Sequence, residues 1–244
     1  MIKHTFIILP VITLIVGIFF LIPVNVNSQD MKKNKVSDID GNIYKTVQIG
    51  EQIWFAENLK TARFNDSTEV PYVPENSDWT GMKTPGYSWY DHETYGFLYN
   101  WYAVETGKLC PVGWHVPTDD EWTELERYLI SNAYNYDGTT KRNKIAKAMS
   151  STTGWTKSPL EGNVGNTDYP EKINASGFSA LPGGLRNYTG IYSSEAGFGG
   201  WWSSTEYLPD TAWGRGISYC FVYLSWINGD KDIGLSVRCV KDKD

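Results

Sequence analysis

Cysteine and histidine are scarce: the 244 residues hold three of each. The cysteines are Cys110, Cys220 and Cys239, with no CxxC spacing, and the histidines are His4, His92 and His115. That poverty argues against a Cys/His zinc site. An odd cysteine count leaves one thiol over if a bridge forms. Clustered positive charge is also lacking. The chain has 22 basic and 28 acidic side chains, a net charge of −6, and its one basic cluster, Lys32, Lys33 and Lys35, is short. A nucleic-acid partner needs a concentrated positive footprint, so that class is set aside. Internal repeats are absent as well.

What is present begins with a single apolar run from Phe6 to Val24, after Lys3 and His4. With Val26 and Ser28 obeying the small-residue rule, it reads as an export signal over residues 1–28. The run is also long enough to stay as an anchor, which would be the chain's only membrane contact. Pro10, Gly17, Pro23 and the polar exit favour cleavage. Cleavage would leave 21 basic against 28 acidic side chains. Residues 29–37 read as a polar linker and 38–243 as one domain.

Aromatic residues are plentiful, with 11 tryptophans and 16 tyrosines. Most are expected in the core and a few at a surface, where they can stack on a ligand. Tyr44–Ile49 and Gln52–Phe55 alternate as a hairpin. Asn65–Trp89 is a long surface excursion. Leu98, Trp101, Tyr102 and Glu105 recur at helical spacing, which predicts a helix over 95–105 ended by Gly107. In CPVGWHVPTDDEW, Thr118 and Glu121 form a capping box and Trp122, Leu125 and Leu129 make one apolar face. The acids Asp119, Asp120 and Glu121 suit the positive end of the helix dipole. They need no catalytic explanation, and His115 reads as structural. Lys144–Met149 predicts a short helix. The remainder predicts strands at 178–181, 190–192, 200–204, 212–218, 221–226 and 235–240.

The blocks DIDGNIYKTVQIGEQIWFAENLK, YGFLYNWYAV, LCPVGWHVPTDDEW, GFSALPGGLRN, GWWSSTEY and GLSVRCVKD occur in that order. They resemble the Fibrobacter succinogenes major paralogous domain, a family of exported bacterial proteins, many from Bacteroidetes. WHVPTDDEW, GWWSSTEY and GLSVRCVK are further similar to segments of the formylglycine-generating enzyme and of C-type-lectin-like domains. The fold that this resemblance implies is α+β: two main helices packed on a twisted, mostly antiparallel sheet with long loops. It implies a Cys110–Cys239 disulfide, against the rival pair Cys220–Cys239, with Cys220 left as a buried free thiol.

The resemblance does not carry activity across. The formylglycine-generating enzyme uses a close cysteine pair, and 202–218 here holds no cysteine. A carboxylate hydrolase would draw on Glu195, Glu206 and Asp210. Calcium is not supported as a cofactor. Asn228 and Asp230 are its weak candidates, and Asn228-Gly229 reads first as a hairpin turn. Glu69, Glu75 and Asp78 match no calcium loop. The leading expectation is an exported, non-catalytic binding module, with a glycan or a cell-surface protein as partner. Arg186, Asn187, Tyr188, Trp201 and Trp202 are its candidate ligand contacts. Alternation places Trp201 and Trp202 on opposite faces, so one is expected in the core and the other exposed.

Overall fold

The computed structural model describes residues 35–243. The expected signal at 1–28 and most of the linker lie outside the described residues. The last part of that linker is strand β1 (Lys35–Ser37), paired antiparallel with β2 (Ile43–Ile49). β2 returns through Gly50-Glu51 to β3 (Gln52–Phe55), as its alternating pattern predicts. Within the loop excursion, Asn76–Trp79 forms helix α1. Strand β4 (Tyr87–Ser88) follows, then helix α2 (His92–Tyr95), strand β5 (Leu98–Tyr99) and helix α3 (Trp101–Val104).

The long helix predicted over 95–105 is therefore not one helix. Gly96 sits at φ +76°, and a Cβ there would stand 2.9 Å from the Leu59 carbonyl oxygen. Leu98–Tyr99 instead pairs with β4. Asn100 then starts α3 as its N-cap, accepting from the Ala103 N–H at 3.1 Å. Asparagine's short amide favours a cap over a helix interior, so it divides the apolar pattern. Two main helices become one.

That one is α4 (Asp119–Ser131), entered from strand β6 (Trp114–His115). Its capping box forms as the sequence predicts. Thr118 Oγ1 accepts from the Glu121 N–H at 3.2 Å, and Glu121 Oε2 accepts from the Thr118 N–H at 2.8 Å. Trp122, Leu125 and Leu129 are fully buried. The first-turn acids also find partners beyond the dipole. Asp119 meets the Arg215 guanidinium at 2.5 Å. The short helix α5 spans Ala146–Met149.

The second half holds β7 (Leu185–Arg186), β8 (Tyr192–Ser193), β9 (Phe198–Leu208), β10 (Thr211–Ser218), β11 (Ser225–Asp230) and β12 (Val240–Lys241). Two antiparallel sheets dominate, one ordered β1-β2-β3-β12-β6 and one ordered β11-β10-β9. The architecture is thus mixed α/β, with few helices and several antiparallel sheets. Of the strands expected late in the chain, 178–181 and 235–240 are largely extended segments with isolated bridges. Asn228-Gly229 is not a turn but lies inside β11, opposite Trp213 and Ala212. The chain reverses earlier, between Ser218 and Ser225. Gly229 serves close packing instead, since a Cβ there would stand 2.8 Å from Ile233 Cδ1.

Strand β9 divides the core. Trp201 packs with Trp54, Trp122, Phe178 and Ile217. Trp202 packs with Tyr99, Phe55, Leu235 and Val237. The alternation is as predicted, but the expected exposure is not: both tryptophans are 0% exposed. Both faces of the strand are covered, and each indole N–H is satisfied internally. Trp201 donates to Asn58 Oδ1 at 2.9 Å, and Trp202 to the Tyr99 carbonyl at 2.8 Å.

Cys110 and Cys239 form the disulfide, as the resemblance implied, across 129 residues. Cys220 is free and partly exposed rather than buried, with its Sγ 3.3 Å from Ser218 Oγ. No helix among the described residues is long and apolar enough to cross a membrane.

Candidate functional site

The five residues expected to contact a ligand do not share a surface. Trp201 and Trp202 are core. Arg186 is also 0% exposed. Its guanidinium lies 4.4 Å from the Trp79 ring centre and 5.0 Å from that of Tyr192. It donates to the carbonyls of Val73, Pro74 and Gly190 and to Asn76 Oδ1. It is a buried pin for the loop ahead of α1. Asn187 folds a turn, with Oδ1 accepting from the Thr189 N–H at 3.0 Å, the Thr189 hydroxyl at 2.7 Å and the Ile191 N–H at 3.0 Å. That turn carries Tyr188 outward, leaving it 57% exposed.

Tyr188 opens onto a cleft of about 300 Å³. Tyr102, from α3, supplies a second ring, and Asp210, Asp230, Lys231, Asp232 and Lys83 supply charge. The sequence places Tyr102, Asp210 and the run Asp230 to Asp232 far apart, and main-chain bonds gather them. Asp210 sits in the β9–β10 turn, where Thr211 pairs with Asp230. Its carbonyl accepts from the Lys231 N–H at 2.9 Å, and the Lys231 carbonyl accepts from the Trp101 N–H at 2.8 Å. The first turn of α3, and Tyr102 with it, is thereby stitched to the end of β11.

Electrostatics within the cleft are uneven. Burial raises the Asp232 carboxyl above the usual range and the Asp230 charge raises it further, while its own backbone N–H and Lys83 oppose. Burial also raises the Tyr102 phenol, with Asp232 and Asp210 adding to it. The Lys231 stem is buried, and its ammonium is held 3.1 Å from Glu206 Oε1 and 4.5 Å over Trp101. Lys83 is exposed. The cleft thus offers two phenol rings for stacking, carboxylates that accept from hydroxyls and an ammonium that donates.

Of the acids considered for hydrolysis, only Asp210 lines this cleft. Glu206 is engaged by Lys231, and Glu195 accepts from Tyr90 and Tyr95. The weak calcium candidates Asn228 and Asp230 are both exposed on β11. Among the described residues, no three Asp, Glu, His or Cys side chains are disposed to hold a metal ion.

His115 is structural in a way the sequence alone does not reveal. Its Nε2 lies 2.9 Å from both Glu121 carboxylate oxygens and its Nδ1 2.6 Å from Asp242 Oδ1. Glu121 thereby closes the helix cap and holds the imidazole. The Glu121 bond raises His115 to about 9, burial opposes it and Asp242 adds to it. A folded pKa above the unfolded value of about 6.5 stabilises the fold fully below about pH 6.5. The contribution is lost as pH rises through about 9. It is expected to be about 1 kcal/mol or less, because the triad is partly solvated. Urea unfolding of His115→Gln and wild type should diverge at pH 6 and converge by pH 10. An unchanged difference across that range would disprove the protonated triad.

The family model of the Fibrobacter succinogenes major domain matches residues 47–241. The chain belongs to this family. Comparisons with curated proteins and with solved structures give no match. In this Fibrobacter succinogenes major domain, buried cations hold the irregular segments. Arg186 is one. Arg238 is another, donating to Asn58 Oδ1 and to the carbonyls of Phe55, Phe178 and Ser179. Lys147, from α5, reaches the Asn166 carbonyl at 2.6 Å, the Asp168 carbonyl at 2.9 Å and Asp168 Oδ1 at 2.5 Å. Sequence reasoning missed the last two. Their only signal is a lone basic residue inside an apolar stretch, IAKAM and LSVRCV.

Proposed function

We propose that the protein is an exported, non-catalytic glycan-binding module, with its recognition site in the cleft between Tyr102 and Tyr188. The observation that carries this is the composition of the cleft. Stacking rings beside dispersed carboxylates and an exposed ammonium match the alternation of C–H faces and hydroxyls on a sugar. A volume of about 300 Å³ suits one or two sugar units better than a long chain. Engagement of Glu195 by Tyr90 and Tyr95 and of Glu206 by Lys231 favours binding over hydrolysis. The apolar leader at residues 1–28 and the Cys110–Cys239 bridge favour an oxidising, exported setting. Long irregular loops beside antiparallel sheets, fastened by a bridge to the last strand, favour a lectin-like architecture.

A protein-interaction role is the second reading. Tyr207, Trp213 and Trp226 favour it, forming a ring cluster across β9–β11 with Trp226 49% exposed.

Calorimetry against a broad glycan panel separates the two. Tyr188→Ala and Asp230→Ala are each expected to weaken binding by about tenfold or more, close to 1.4 kcal/mol. Tyr128→Ala, at an exposed ring outside the cleft, should change nothing. No binding across the panel would refute the glycan class, and full affinity in both cleft variants would refute the site.

A further inference from the structure

The segment from Asp137 to Lys144 reads DGTTKRNK and sets three basic side chains against one acid, in a chain whose net charge is −6. It forms a loop around one buried side chain. Asn135 Nδ2 lies 2.7, 3.2 and 3.0 Å from the carbonyl oxygens of Thr139, Lys141 and Arg142. Asn135 Oδ1 accepts from the Lys144 N–H at 2.9 Å, which closes the loop. In a trans peptide the C=O and the following N–H point in opposite directions. Turning those three carbonyls inward therefore turns the N–H groups of Thr140, Arg142 and Asn143 outward. Among the described residues these N–H groups have no acceptor, nor has that of Lys141.

A groove of about 460 Å³ is lined by residues 138–142 and Lys144. Arg142 adopts the left-handed conformation, φ +62°, within this loop. The cations divide unequally. Lys144 is held by Asp137 and stands 5.6 Å from the Tyr136 ring centre. Lys141 and Arg142 are exposed, and among the described residues no carboxylate engages them.

We propose that this loop is a binding site for the phosphate group of a phosphate monoester. The Arg142 guanidinium fork and the Lys141 ammonium, with an outward N–H beside them, match the terminal oxygens and the charge of a phosphate better than a singly charged carboxylate. Two unpaired cations match the charge of about −1.5 to −2 on such a group at neutral pH. The site shares no residue with the Tyr102–Tyr188 cleft, so its fate is independent of the glycan reading.

Two sources could supply the group, a soluble sugar phosphate or the headgroup of an anionic lipid, and two arms separate them. In the first, ¹⁵N-labelled mature protein is titrated with glucose 6-phosphate while the amide signals of Thr140, Arg142 and Asn143 are followed. Saturable shifts confined to this loop, with Kd in the millimolar range or below, are expected. The double variant Lys141→Ser, Arg142→Gly should weaken binding by about tenfold or more, since each cation makes charge-assisted bonds. Glycine keeps the positive φ open, so the thermal midpoint should not move. The single variant Lys141→Glu, which leaves position 142 alone, should weaken binding in the same direction. In the second arm, phosphatidic acid vesicles are compared with phosphatidylcholine vesicles. Loop shifts with vesicles alone would assign the group to a lipid and overturn the soluble source. An absence of loop shifts in both arms, or shifts spread over all surface lysines, would overturn the site.

Discussion

Cys110→Ala combined with Cys239→Ala is expected to lower the unfolding free energy by about 4–5 kcal/mol. The chain-entropy account sets that size, because a bridge closing a loop of 129 residues strongly restricts the unfolded chain. Urea unfolding should show a lower midpoint. The slope with urea should steepen, because an unbridged chain exposes more surface when it unfolds. The native state itself should change little, for the strand beside Cys239 has other anchors. Leu59 and Phe55 donate N–H bonds to the Val237 and Cys239 carbonyls, both at 2.9 Å. A loss under about 1 kcal/mol would mean that the unfolded chain is already compact without the bridge.

Arg238→Met should cost nearly as much, about 3–5 kcal/mol. The guanidinium is wholly buried and forms no ion pair among the described residues, although the Glu57 charge favours it from a distance. Burial pushes it down to about 9, which still leaves it charged at neutral pH. The charge is spread over the Asn58 side chain, three carbonyls and the Phe178 ring, whose centre is 4.2 Å away. Methionine fills much of the volume but donates nothing. The carbonyls of Phe55, Phe178 and Ser179 then lose a donor inside the protein, and each such loss costs about 1–3 kcal/mol. Arg238→Lys keeps the charge but not the fork and should fall between the two. Chemical denaturation of the three forms checks the order. A methionine variant as stable as wild type would show that the carbonyls have other donors.

How far the sequence predicts this molecule depends on the range of the force involved. The capping box at Thr118 and Glu121 and the β2–β3 hairpin are decided within a few residues, and both form as read. Sending Trp201 and Trp202 to opposite faces follows from the strand repeat alone. Whether each face is covered depends on Phe178 and Val237, distant in the chain, and there the expectation of an exposed indole fails. His115 shows the same limit, since one partner is six residues away and the other 127. The apolar rhythm around Leu98 and Trp101 fits a helix, but the backbone demand at Gly96 and the cap at Asn100 outweigh it. The cleft was legible only in fragments. Tyr188, Asp210 and Asp230 each attract notice for a different chemistry, and only the main-chain links from Lys231 to Asp210 and Trp101 bring them together.

The segment from Leu235 to Lys241 touches nearly every layer described above. It exchanges main-chain bonds with Tyr99, Gly200, Trp202, Leu59 and Phe55, pairs with Trp54 and His115, and carries Arg238 and Cys239. Because synthesis runs from the N-terminus, this keystone is the last part of the domain to leave the ribosome. Until then neither apolar cluster is complete, since Leu235, Val237 and Cys239 belong to one and Val240 to the other. Both clusters are thus expected to be completed together, by the arrival of the same short segment.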